Sequence, residues 1–179
     1  KAYPGLDRFW DTAKEVANLS TSLAGHLTGI ESEEAYTVGM FHDCGIPPMA
    51  IKYQDYVKVL NESNQNFNYT LPQLEEKAYK TNHAVIGYYL ATSWHLPKDI
   101  CQLILRHHDL NYLESIDDSQ EQICYAVLKL AENLVSVEKR YNSSPDWPHV
   151  QNQVLDVLGL TDCELADLKE DVAGIIFNR

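Results

Sequence analysis

Apolar positions recur at three- and four-residue steps along nearly the whole chain. Phe9, Ala13, Val16, Ala17, Ser20, Leu23, Ala24 and Leu27 trace one stripe, which predicts a long amphipathic helix ending near Gly29. A second helix is expected from residue 32 to 43 or 44, with Ala35, Val38, Gly39 and His42 turned inward and Gly45 as its C-terminal stop. Pro47 and Pro48 predict a turn, residues 53–60 a short helix, and the Asn-rich stretch 61–70 a surface loop. Residues 71–79 read as a helix. His83, Ile86, Gly87, Leu90, Ala91 and Trp94 then form one apolar stripe, and Ile100, Leu103, Ile104 and His107 the next, opened by Pro97.

Ser119 with Gln122 has the spacing of a capping box for a long helix to Tyr141, whose stripe is Ile123, Val127, Leu130, Ala131 and Leu134. A connector at 142–149 precedes a helix over 150–158. A final helix is opened by Thr161 and Glu164, a second capping-box pattern. No stretch alternates with period two. The fold class is all-α, a single helical domain over 1–179, with its core in 9–141 and C-terminal helices in 150–177.

Three of these apolar faces carry histidine: His42 with Asp43 beside it, His83, and His107 with His108 beside it. A buried imidazole without a partner costs roughly 1–3 kcal/mol, so three aimed into one core point to a shared site. Neighbours on a helix diverge by about 100°, so an adjacent pair can serve one centre only near a helix end. Both pairs stand at such an end. Imidazoles with a carboxylate suit a divalent metal such as Fe, Mn, Mg or Zn. A satisfied polar network that fixes helix packing is the structural alternative. His26, His95 and His149 lack an apolar-face argument and read as solvated.

Of the 179 residues 45% are hydrophobic, enough for a normal core, and the net charge is −12. That charge repels nucleic-acid phosphates and anionic membrane surfaces, so neither is an expected partner. The four cysteines, Cys44, Cys101, Cys124 and Cys163, form no CxxC pair and read as reduced, partly buried thiols of a cytoplasmic protein. No apolar run approaches the ~20 residues of a membrane span.

The succession Phe9-Trp10, Ala35 to Gly45, Glu75, His83 to Gly87 with Leu90, Trp94 to Pro97 and His107-His108 resembles the HD superfamily of metal-dependent phosphohydrolases. More narrowly it resembles the bacterial HDOD signalling domain, over residues 9 to about 141. The resemblance implies a helical bundle acting in signal transduction, with a protein partner or a fused signalling domain, and leaves a homo-oligomer open. It implies metal ligands at His42, Asp43, His83, His107 and His108, with Glu132 at a last acidic position that is usually Asp.

The departures are Thr12 where a catalytic HD domain has its first histidine, and Ile46 where the hydrolases often carry a phosphate-meeting lysine. The Gly-Tyr-Pro feature of the HD-GYP group is missing after His108. With eight residues before Phe9, the family's upstream helical half is expected to be absent. The expected function is therefore a non-catalytic bacterial signalling module with a degenerate metal site. The alternative is a metal-dependent phosphohydrolase acting on a nucleotide or related phosphate ester, with Asp43 as catalytic base.

Overall fold

The computed structural model describes residues 6–26, 29–65 and 69–177, and all regular elements among them are helical. The chain divides into two compact units, 1–10 with 41–108 and 11–40 with 109–179.

The first unit holds α3 (Ile46–Lys52), α4 (Tyr56–Gln65), α5 (Leu71–Tyr79), α6 (His83–Ser93) and α7 (Lys98–Arg106), together with the first turns of α1 (Leu6–Ala24). Its core gathers Ile46, Met49 and Tyr56 against Phe9, Leu60, Leu71, Tyr79 and Ile86. The expected turn at Pro47-Pro48 is instead the start of α3, because both prolines lie in the first helical turn, where no N–H is needed. The helix expected over 53–60 starts at Tyr56 and continues to Gln65, into the stretch expected to be loop. Thr70 opens α5 with a reciprocal capping box to Gln73. Trp94, expected in the core, is 49% exposed. It is the C-cap of α6, beyond the periodic face, and His95 follows it at φ 60°. The N–H groups of His95 and Leu96 close that end by donating to Thr92 and Ala91.

The second unit holds the rest of α1, most of α2 (Ser32–Phe41), α8 (Ser119–Arg140), α9 (Trp147–Leu158) and α10 (Asp162–Phe177). Alpha-8 is its axis, with Leu128, Leu130, Ala131 and Leu134 almost fully buried. Asp118, not Ser119, caps it, its carboxylate accepting from the N–H groups of Gln120 and Glu121; the cap lies one residue upstream of the predicted one. The Thr161–Glu164 box is present as expected, with Thr161 N–H and Oγ1 both donating to Glu164 and Glu164 N–H returning to Oγ1.

Lys129, 1% exposed, is buried in α8 between Glu132 at 2.9 Å and Asp146 at 2.8 Å. Burial pushes its ammonium down, but Glu132 and then Asp146 outweigh this and hold it above its usual range.

Candidate metal centre

The site is built where α2 ends. Alpha-2 stops at Phe41, so His42 and Asp43 leave the helix on the turn 42–45, free of the 100° divergence that a continuing helix would impose. Gly45 caps α3 at φ −77° and does not terminate α2 in a left-handed conformation, contrary to expectation. Its role is close approach. A Cβ at position 45 would lie 1.9 Å from the His83 carbonyl oxygen and 2.7 Å from the Gly87 nitrogen. The turn carrying Asp43 is thereby pressed against the first turn of α6, which carries His83.

His83 is the first residue of α6, preceded by the N-cap Asn82, whose side chain accepts from Val85 N–H. His107 is the C-cap of α7, and His108 follows it. Asp43, His83, His107 and His108 each offer one donor atom, and these four atoms lie within 4.8 Å of one another. Asp43 Oδ1 is the focus, 3.1 Å from His83 Nε2 and 3.3 Å from His107 Nε2. The Nε2 atoms of His83 and His108 are 3.1 Å apart. His42 approaches the other carboxylate oxygen, Oδ2, at 3.4 Å, and its ring meets His107 edge to face. His83 and His107 are wholly buried, whereas Asp43 and His108 are half-buried and form the open side.

The outer nitrogens decide what the inner ones are. His107 Nδ1 lies 2.7 Å from the Ile104 carbonyl oxygen, which can only accept, so Nδ1 carries a proton. His83 Nδ1–H donates to Glu75 Oε2 at 2.7 Å. In the neutral imidazoles so selected the lone pair sits on Nε2, aimed at the Asp43 oxygen. A lone pair facing a carboxylate at that range requires positive charge between them, as a proton or a metal cation. The directions of titration express the same demand. Burial pushes His83 down, yet hydrogen bonds to Asp43 and then Glu75 raise it to about 10. Burial pushes Asp43 up, but His42, His107 and His83 hold it well below the usual carboxylate range.

Three imidazole nitrogens and one carboxylate oxygen, with the rings of His83 and His107 held from behind by Glu75 and the Ile104 carbonyl, are a donor set fitted to a divalent metal. A bound metal would supply Lewis acidity and a lowered pKa for a coordinated water.

Of the residues expected to ligate, the fold brings Asp43, His83, His107 and His108 into one cluster and sets His42 against its outer oxygen. Glu132 belongs to the second unit, where its carboxylate takes Lys129. Thr12 also lies in that unit and accepts from Lys139 at 3.3 Å. Ile46 is a core residue, 8% exposed. His26, His95 and His149 are exposed, as expected. Sequence reasoning named Glu75 among the residues that carry the family resemblance but gave it no role, and it passed over Tyr56. The signal for Glu75 was available: Leu71, Leu74, Glu75 and Ala78 follow helical spacing, placing a carboxylate inside the apolar stripe of α5.

The HDOD domain model matches residues 2–110, and the chain belongs to the HDOD family. No curated protein matches it in sequence. Among solved structures it is similar to a protein from Shewanella amazonensis provisionally named a phosphohydrolase, at 20% identity and TM-score 0.70, covering 98% of this chain and 62% of that one. It is also similar to an HDOD domain protein of unknown function from Geobacter sulfurreducens, at 21% identity and TM-score 0.62, covering 94% and 61%. The MmoQ response regulator of Methylococcus capsulatus matches at 20% identity and TM-score 0.66, covering 92% and 61%. The chain thus spans about three-fifths of each of these proteins. At such identities the likeness establishes a shared helical fold. Among the described residues no helix is long and apolar enough to cross a membrane.

Proposed function

We propose that the chain is a non-catalytic signalling module of a cytoplasmic bacterial protein, which holds one divalent metal structurally and acts by contacting a signalling partner or fused domain. Asp43, His83, His107 and His108 hold the cation, with His42 supporting Asp43. Family membership and the likeness to a response regulator support the signalling role.

The observation that carries the non-catalytic reading is Ile46. Immediately after the His42–Gly45 turn, where the hydrolases often place a cation for phosphate, this chain has a buried side chain packed on Met49 and Tyr56. A phosphate ester arriving at the metal would meet no charge from that position. The retained donor cluster favours the second reading, a phosphohydrolase.

One experiment separates them. Protein purified without chelator should contain about one Fe, Mn or Zn per chain by elemental analysis. It should not turn over cyclic dinucleotides or nucleoside phosphates with Mn or Fe supplied. Hydrolysis that disappears in Asp43→Ala would overturn the non-catalytic reading, and absence of bound metal from wild type would overturn the structural metal.

A further inference from the structure

Glu75 is a fully buried carboxylate on a five-helix unit whose neighbouring core is apolar, a placement that is costly unless every lone pair is used. Tyr56 O–H donates to Oε1. Oε2 accepts two hydrogen bonds from one residue, from His83 N–H at 3.0 Å and from His83 Nδ1–H at 2.7 Å. Tyr56 is itself wholly buried, in the core cluster with Met49. The chain Tyr56–Glu75–His83 therefore runs from the core directly to the donor cluster.

We infer that Glu75 is a positioning residue of the metal centre, which fixes His83 in the form with its lone pair on Nε2 and strengthens that nitrogen as a donor, while Tyr56 holds Glu75 in place. This rests on the reading that the cluster takes a divalent cation. A carboxylate can only accept here, so it dictates where the His83 ring proton lies, and its charge makes the opposite nitrogen more basic. Bonding the backbone N–H of α6 alone would need no charge and no contact with the ring. Glu75 makes both contacts with one oxygen, and this ties ring orientation to the position of the helix start.

The test is zinc affinity of the full chain, measured by competition with a chromophoric chelator, in wild type, Glu75→Gln and Tyr56→Phe. Circular dichroism shows which variants fold. Glu75→Gln keeps the shape and removes the charge; it should bind zinc about 10- to 100-fold more weakly, and Tyr56→Phe should shift affinity less, in the same direction. In the zinc-loaded wild type, proton NMR should show the His83 Nδ1–H far downfield, and Glu75→Gln should move it upfield.

Folded Glu75→Gln with wild-type zinc affinity and an unmoved ring proton would overturn the inference and leave the metal reading standing. If Glu75→Gln does not fold, Tyr56→Phe decides, unchanged affinity overturning the inference. A wild type that takes up no zinc, manganese or iron overturns both.

Discussion

Leu103 lies in α7 at 1% exposure, while Trp94 has half its surface in water and meets Phe41 edge to face at 5.5 Å. Truncating Leu103 to Ala leaves a cavity the packed helices cannot close, and should cost about 2–5 kcal/mol. Trp94→Ala should cost on the order of 1 kcal/mol or less, since what it removes is largely surface contact. Urea denaturation of both variants checks the order, and a larger loss at Trp94 would contradict its exposed position. Tyr79 gives a pH dependence. Burial, followed by its 3.0 Å hydrogen bond to Asp55, raises the phenol to about 12 from an ordinary value of 10. The folded chain holds that proton longer than the unfolded chain. Its contribution to stability is therefore intact below pH 10 and is lost as pH rises towards 12. Between those values the urea midpoint of wild type should fall more steeply than that of Tyr79→Phe, and parallel slopes would rule the effect out.

At the scale of elements, helix ends decide most of what departs from the sequence reading. Alpha-8 ends at Tyr141, 89% exposed and at φ 57°, a conformation that costs a side-chain-bearing residue about 1 kcal/mol or more. Tyr141→Gly should raise stability by roughly 0.5–1 kcal/mol, seen as a higher melting temperature, because no packing is lost there. Apolar periodicity was legible for α1, α6, α7 and α8, since their faces are buried over several turns. It could not reveal α3, seven residues long and opening with two prolines that suit a first turn as well as they suit a break. The Thr161 cap was legible and the Asp118 cap was not, because Ser119 with Gln122 has the capping-box spacing and stands next to an equally good acceptor. The metal-ligand candidates stood out as imidazoles on apolar faces. Glu75 stood out only as part of the family resemblance, because Gln73, Glu76 and Lys77 around it partly mask the apolar stripe on which it lies, and its partner Tyr56 sits on another helix.

For the molecule as a whole, 26 acidic residues against 14 basic give a net charge of −12. Self-repulsion of that size opposes folding and is screened by salt. Raising ionic strength from about 0.01 M to about 0.15 M shortens the Debye length from roughly 30 to 8 Å, so the melting temperature should rise over that range with sodium chloride and stay level with an uncharged osmolyte held at low concentration. A falling melting temperature would mean that ion pairs such as Lys139–Glu15 at 2.6 Å outweigh the repulsion.

The contact of Gly45 with the start of α6 has an evolutionary corollary. One methyl grafted at that position would act as a wedge, prising the aspartate away from its rings while leaving every donor chemically intact. A homologue carrying alanine there could display the complete set of ligands and still have lost its grip on the ion. Tallying histidines would miss such a loss; inspecting the glycine would not.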